Sequence, residues 1–203
     1  MSDRGVLIIL SGPSGSGKDT VLNKLVDGRD DVRVSVSMTT RAMRDGEIDG
    51  KHYYFVNREY FEKKIAEGKM LEYAEYAHNY YGTPREPVEE MLRAGKSVIL
   101  KIEVQGAEKI RKIFPDVTSI FLLPPSMRVL EERLRGRGSE DEETLHHRLV
   151  IAREELRRVY DYDYVVINDT VESAVKGIET VIEAENKKTA RNKNLISEVI
   201  DNV

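Results

Sequence analysis

The segment that most constrains the fold is the run LIILSGPSGSGKDTVLNKL at residues 7–25. An apolar stretch leads into a glycine-rich turn and then into a helical pattern, which predicts a buried strand, a loop and a helix. Gly12, Gly17 and Lys18 match the fixed positions of a phosphate-binding loop. Small side chains there expose backbone N–H groups at a helix N-terminus, where the helix dipole also favours an anion. The segment therefore predicts a site for nucleotide phosphates.

We expect the phosphates of ATP to contact the loop and the start of the helix that follows it. The expected contacts are Gly12, Pro13, Ser14, Gly15, Ser16, Gly17, Lys18, Asp19 and Thr20. Asp19 stands where this motif usually has a hydroxyl, and two interpretations stay open. Its carboxylate could ligate Mg²⁺ directly or through water, or it could cap the helix start and point away from the nucleotide.

The rest of the chain alternates short β-branched runs with longer amphipathic segments. This order predicts an α/β fold with a central parallel sheet flanked by helices. Continuous apolar runs, typical of strands buried on both faces, lie at residues 6–10, 97–102, 117–123 and 164–168. Helices are predicted at about 18–28, 105–114, 126–136, 140–160 and 171–188.

Two segments interrupt this alternation. The run RVSVSMTTR at residues 33–41 alternates strictly and predicts one strand, with Val34, Val36 and Met38 on the same face. Together with HYYFV it predicts a small α+β insertion at the edge of the core. A second insertion, at about 126–160, is helical and rich in arginine.

Composition limits the partners. The 203 residues carry a net charge of −4, so there is no broad basic surface for nucleic acid. There are no cysteines, which excludes thiol chemistry and fits a reducing compartment. The apolar run at residues 6–10 is too short for a signal peptide or a membrane span. We therefore expect a cytoplasmic protein without nucleic-acid or membrane partners, and the sequence leaves monomer or homo-oligomer undetermined.

Several further motifs, taken together, resemble guanylate kinase. They are SMTTRAMRDGEIDGKHYYFV, LEYAEYAHNYYGTP, LKIEVQGA, FLLPPS, LEERLRGRGSEDEETLHHRL and VVIND, and the similarity covers about residues 5–185. The resemblance implies a P-loop kinase that transfers the γ-phosphoryl group of ATP to GMP, and to dGMP, with Mg²⁺ as cofactor. It also implies a single domain over 1–203, with a core at about 1–33, 96–125 and 161–188. A GMP-binding region at about 34–95, a lid at about 126–160 and a C-terminal helical extension at about 189–203 complete that domain.

The resemblance also assigns the residues that bind GMP. They are Ser37, Arg41, Arg44, Glu47, Tyr53, Glu72, Tyr81, Thr83 and Glu103. Arg41 and Arg44 suit a phosphate because a guanidinium donates two parallel hydrogen bonds. Guanine presents a ring N–H beside an exocyclic amine, and the single carboxylate of Glu72 can accept from both. Adenine would place an acceptor nitrogen against that carboxylate, so GMP is expected over AMP.

Lys101 departs from the family pattern, which usually has an acid at that position. Strand alternation puts Lys101 and Glu103 on the same face. We expect Lys101 to pair with Glu103 or with a phosphate, and the acid near the metal to have moved to Asp19.

The resemblance assigns catalysis to Lys18, Arg44, Arg133, Arg137 and Arg148, and the adenine side of the ATP site to Asn168. A simpler interpretation of Asn168 is a cap for the following helix. A rival function is a binding module like the guanylate-kinase-like domains of scaffold proteins, which tend to lose the ATP loop. Because Lys18, the loop glycines and the lid arginines are all present, we favour the enzyme over the module.

Overall fold

The computed structural model describes residues 4–76, 78–136 and 141–201. Its strands fall into two sheets, five in the first and four in the second. The strands are β1 (Leu7–Ser11), β2 (Val32–Val34), β3 (Met38–Thr39), β4 (Tyr54–Phe55), β5 (Met70–Tyr76), β6 (Asn79–Pro84), β7 (Ser97–Lys101), β8 (Thr118–Leu123) and β9 (Tyr164–Ile167).

The described helices are α1 (Lys18–Val26), α2 (Arg58–Ala66), α3 (Arg85–Arg93), α4 (Val104–Ile113), α5 (Met127–Arg135), α6 (Glu142–Arg157), α7 (Val171–Asn186) and α8 (Lys193–Asp201). Five of them match the predicted spans to within a few residues at each end, α8 falls within the predicted C-terminal extension, and α2 and α3 lie in the α+β insertion, where no helix bounds were predicted. Short 3₁₀ turns follow α6 at Arg158–Asp161 and precede α8 at Thr189–Arg191. Within the described ranges, no helix combines the length and the apolar character needed to cross a membrane.

The central sheet is parallel throughout, in the order β2-β7-β1-β8-β9. Successive side chains of β1 point to opposite faces. Ile8 and Leu10 pack with α1 and α7, whereas Leu7 and Ile9 pack with α3 and α4. Helices therefore pack on both faces of the sheet, and the predicted α/β fold with a central parallel sheet is confirmed. The burial on both faces predicted for residues 164–168 was wrong, because Val165 and Ile167 of the edge strand β9 are exposed. The register pairs Leu10 with Lys101, so the carboxyl ends of β1 and β7 lie side by side.

The prediction of one strand over 33–41 was wrong. The chain forms β2 at the edge of the central sheet, leaves it after Val34, and enters the second sheet at Met38. Val34 packs against the central core, whereas Met38 is buried with Phe61 and Met70 in a separate cluster. The apolar alternation runs through the break between β2 and β3 because Val34 packs in the central core and Met38 packs in the core of the small sheet.

The second sheet has the order β4-β3-β6-β5, with the β3–β4 pair parallel and the pairs that involve β6 antiparallel. Helix α2 packs on this sheet, where the Phe61 ring stacks on Tyr80 with a centroid distance of 5.2 Å. Helices α5 and α6 form a third unit with its own apolar contacts, centred on Leu130 and Leu145. These two units provide the α+β and helical insertions beside the central sheet.

Candidate active site

Glycines shape the turn between β1 and α1, which we call the glycine loop (residues 12–17). Gly17 has φ +89°, and a Cβ there would lie 2.4 Å from Nδ2 of Asn168. A Cβ on Gly12 would lie 2.4 Å from the carbonyl oxygen of Leu122 on β8. Gly17 is also the N-cap of α1 and adds no side-chain cap, so the first N–H groups of the helix point into the loop. Glycine is thus required by close backbone packing as well as by conformation.

Lys18 begins α1 and folds back over the loop. Its Nζ donates to the carbonyl oxygens of Gly12 at 2.5 Å and Pro13 at 3.1 Å. Burial lowers the pKa of this ammonium, and the carboxylate of Glu155 is the largest influence in the opposite direction. A partly dehydrated cation at a helix N-terminus attracts an anion more strongly than one in bulk water.

Asn168 follows β9 and joins the loop to the helical unit. Its side chain is 3 % exposed, and Nδ2 donates to the Ser16 carbonyl at 2.7 Å. The backbone carbonyl oxygen of Asn168 accepts from Nη2 of Arg133 at 3.0 Å. The interpretation of Asn168 as a helix cap was wrong, because Thr170 caps α7 in a reciprocal capping box with Ser173. Asn168 instead supports the backbone of the glycine loop.

The helical unit brings two of its three predicted arginines to the loop. Arg148 on α6 donates to the hydroxyl of Ser14 at 2.7 Å. Arg133 on α5 contacts Asn168, and its Nη1 is buried without a hydrogen bond among the described residues. A Cβ on Gly15 would lie 2.9 Å from Leu134, so α5 packs directly on the loop. Arg137 lies outside the described residues.

A second cationic cluster lies at the edge of the small sheet. Arg41 donates to both carboxylate oxygens of Glu47, at 2.7 and 2.9 Å, and Glu47 also accepts from the Arg44 N–H at 2.8 Å. The Arg41 guanidinium lies 5.6 Å from the ring centroid of Tyr53, whose ring lies 6.1 Å from that of Tyr81. Arg41, Glu47 and the two tyrosines are thus brought together, whereas the side chain of Arg44 is exposed.

Glu72 lies on β5 with its carboxylate pointing inward. It is 9 % exposed, and the hydroxyl of the fully buried Thr83 donates to its Oε1 at 2.8 Å. Burial raises the pKa of Glu72, and the Thr83 hydrogen bond opposes that shift. A Cβ on Gly106 would lie 3.1 Å from Oε2, so the first turn of α4 approaches this oxygen closely. Ser37, before β3, is half-buried, and its carbonyl accepts from the Tyr54 N–H at 2.8 Å.

The two acids nearest the carboxyl ends of β1 and β7 differ in their partners. Asp19 lies in the first turn of α1 and is not its cap, and Oδ1 accepts from Nζ of Lys101 at 2.5 Å. Lys101 therefore pairs with Asp19, not with Glu103 as one expectation had it. Glu103 is exposed at the N-cap of α4 and makes no capping hydrogen bond with its side chain. Thr20 is exposed on α1.

Sequence reasoning missed Glu155 on α6. Burial raises the pKa of its carboxyl, the Lys18 charge opposes that shift, and Oε2 is buried without a hydrogen bond among the described residues. No motif marks this glutamate. Only the packing of α6 against the loop reveals it.

The glycine loop, Asn168 and Glu103 all follow the carboxyl ends of parallel strands, where α/β folds bind their ligands. A cavity of about 910 Å³ lies at the opposite end of β1, β8 and β9, lined in part by Leu7, Thr118 and Glu185. Since it lies away from the loop, we do not assign it to this site. The described residues contain no group of three or more His, Cys, Asp or Glu side chains that could hold a metal ion. The site can therefore bind anions at two cationic clusters, one at Lys18 and the glycine loop and one at Arg41, and it presents the buried carboxylate of Glu72.

Comparison with known proteins identifies relatives along nearly the whole chain. A family model described as guanylate kinase matches residues 4–185. The guanylate kinase of Shouchella clausii is 49 % identical over 189 residues, which cover 93 % of this chain and 92 % of that protein. The guanylate kinase of Streptococcus thermophilus is 52 % identical over 192 residues, covering 94 % and 92 %. The crystal structure of guanylate kinase from Anaplasma phagocytophilum aligns with a TM-score of 0.78 at 38 % identity, covering 97 % of this chain and 95 % of that one.

The Arg41–Glu47 pair predicts an unusual titration. Hydrogen bonds from Arg41 lower the pKa of Glu47 from 4.5 to about 2. The stability that the Arg41–Glu47 ion pair contributes is therefore fully present above pH 4.5 and is lost as the pH falls towards 2. At pH 3.5 we expect the Glu47 carboxyl ¹³C signal to remain that of an ionised group, because this pH lies above its lowered pKa. In Arg41→Gln the Glu47 midpoint should return towards 4.5, and an unchanged midpoint would contradict this account.

Proposed function

The chain belongs to the guanylate kinase family and is an ATP:GMP phosphotransferase, and from that premise we propose which residues carry each part of the reaction. The observation that carries the proposal is the buried Glu72 carboxylate, oriented by Thr83 at 2.8 Å. A buried carboxylate that accepts from Thr83 on Oε1 still has acceptor capacity for a donor pair. Guanine offers such a pair, and adenine does not.

We propose that residues at about 34–95 bind GMP and that those at about 126–160 form a lid. The core at about 1–33, 96–125 and 161–188 binds ATP, and about 189–203 is an extension. The Asn168 and Ser14 contacts support this division because they tie the helical unit to the glycine loop. Closure of the two insertions over the core would exclude water from the transferring group.

The glycine loop and Lys18 are proposed to hold the ATP phosphates, with the Thr20 hydroxyl at the start of α1 as a further donor. Asp19 lies beside them and is paired with Lys101. Backbone N–H groups at the helix start and the Lys18 ammonium offer positive charge there. Lys18 can exchange its two carbonyl acceptors for phosphate oxygens. Asn168 supports the loop next to the adenine side.

The Arg41 cluster is proposed to hold the GMP phosphate. Tyr53 and Tyr81 add phenolic donors, and Glu47 fixes the Arg41 guanidinium in place. Arg44, which is exposed, would turn in with the substrate. Ser37, Thr83 and Glu103 complete the GMP site beside Glu72. None of these residues is assigned to the sugar, so we also propose dGMP as a substrate and a role in recycling guanine nucleotides.

The residues near the loop fit Mg²⁺, which usually keeps several waters and binds through one or two carboxylates and substrate phosphates. Asp19 is the ligand that the sequence suggests, but its carboxylate accepts from Lys101. Glu103 makes no capping hydrogen bond, and we propose that it holds the ion, directly or through water. When bound, Mg²⁺ would neutralise charge on the ATP phosphates.

Phosphoryl transfer needs alignment and positive charge rather than covalent help from the protein. We propose that Lys18, Arg44, Arg133, Arg137 and Arg148 supply that charge to the transferring group. A binding module would not need the Lys18–loop arrangement or the Arg148–Ser14 contact, and both support the enzyme. We further propose that the reaction takes place in the cytoplasm.

The decisive measurement is ADP release from ATP in a coupled assay. We expect turnover with GMP and with dGMP, and rates lower by about 10⁴ with AMP, because adenine leaves Glu72 unpaired. UMP is the control for a pyrimidine base. Absence of turnover with GMP would defeat the proposal.

Glu72→Gln tests the base pocket. The new amide presents a donor towards the guanine N–H groups, so kcat/KM for GMP should fall about 100-fold, which corresponds to about 2.7 kcal/mol. The KM for ATP should not change. Glu75→Gln, an exposed change on the same strand, is the matched control. Equal losses in both variants would remove Glu72 from the pocket.

Arg148→Ala tests the lid. Removing this charge should lower kcat by the order of 10³, while the Kd for GMP changes less than about threefold, because the charge acts on the transferring group. Arg157→Ala, an exposed arginine on the same helix paired with Glu154, should leave both constants unchanged. Parallel losses of kcat and GMP affinity would count against a lid role.

A further inference from the structure

The Asp19–Lys101 ion pair joins two positions at which this chain departs from what its motifs lead one to expect. Asp19 replaces the hydroxyl that usually follows the loop lysine, and Lys101 stands where an acid is usual. The two are 82 residues apart in sequence, yet Lys101 Nζ lies 2.5 Å from Asp19 Oδ1. The β1–β7 register creates this proximity by setting Lys101 beside Leu10.

Each charge alone would disturb the field at the loop. The Asp19 carboxylate raises the pKa of Lys18, and the Lys101 ammonium lowers it. Their effects on the loop lysine therefore have opposite signs, and both groups act at the point where the phosphates are expected. A carboxylate in this position without its cation would repel ATP.

Stability alone gives a weak reason for the pair. The side chains of Lys101 and Asp19 are 37 % and 67 % exposed, and ion pairs this exposed contribute little to folding. Their location is more informative. The pair links the first turn of α1 to the end of β7, two residues before Glu103.

We propose that Lys101 is a positioning residue that neutralises Asp19 and holds its carboxylate away from the ATP phosphates and their metal ion. The proposal rests on the proposed use of the glycine loop for ATP. Asp19 is then a partner of Lys101 and not a ligand of Mg²⁺. Its removal should be tolerated, whereas exposing it by removing Lys101 should not.

A double-mutant cycle tests this, with ATP affinity measured by calorimetric titration in the presence and absence of Mg²⁺. Lys101→Met should weaken ATP binding about tenfold, because the Asp19 charge is then unopposed near the loop. Adding Asp19→Ser to that variant should restore the affinity to within about twofold. Lys101→Arg should retain it, and the Kd for GMP should stay constant throughout.

Two results of the double-mutant cycle itself would overturn the proposal. One is additivity, in which the double variant binds ATP no better than Lys101→Met. The other is an Asp19→Ser variant that loses ATP affinity only when Mg²⁺ is present, which would make Asp19 a metal ligand.

Controls separate a local effect from a loss of folding. Lys112 and Glu108 form an exposed pair on α4 at 2.9 Å, and Lys112→Met should leave both nucleotide affinities unchanged. Thermal unfolding is recorded for every variant. Lys101→Gln repeats the double-mutant cycle with a polar side chain in place of the apolar one in Lys101→Met. ATP affinity that follows the unfolding midpoint across Lys101→Met and Lys101→Gln would overturn the proposal. Since the titration needs no turnover, failure of the kinase assay and failure of this proposal remain distinguishable.

Discussion

The close approach of Asn168 to the glycine loop is the contact on which the rest of the site depends. It requires Gly17, since a Cβ there would lie 2.4 Å from the Asn168 amide. The amide fixes the Ser16 carbonyl, and the Asn168 carbonyl holds Arg133. One residue after β9 thus sets the loop conformation and the position of α5. Because Ser16 and the Asn168 amide are both buried, losing the hydrogen bond between them would leave an unpaired polar group at the centre of the site.

The fold could be predicted because its information is local. Apolar runs of five to seven residues and the turn at Gly12 mark strands β1, β7, β8 and β9 of the central sheet, and all of these but the edge strand β9 are buried on both faces. The prediction failed at Val34 and Met38, where one alternating pattern spans two sheets. Alternation reports that a side chain is buried, and it does not report in which core. Only the pairing of β2 with β7 resolves that difference.

The candidate site residues could be predicted where the residue type itself indicates the chemistry. Arginine beside tyrosine and a carboxylate beside a hydroxyl are recognisable as pairs, and the structure brings Glu72 and Thr83, both expected in one pocket, into contact. Lys101 and Glu155 were harder because each owes its role to a neighbour distant in sequence. Lys101 meets Asp19 through strand register, and Glu155 comes near Lys18 only because α6 packs over the loop. Such contacts depend on tertiary geometry and leave no periodic signal.

The electrostatics of Glu72 connect the cost of burying a carboxylate to the proposed choice of base. Burial disfavours its charged form, and the hydrogen bonds from Thr83 and the Lys109 charge offset only part of that cost, so its pKa stays raised. A base that donates two N–H groups stabilises the ionised form and lowers this pKa, which means that part of its binding energy recovers the cost of burial. A base that offers an acceptor instead leaves the carboxylate unpaired or forces it to take up a proton. With Glu72 in the proposed base pocket, the protein would discriminate between purines with a group whose charge it destabilises in the absence of the correct ligand.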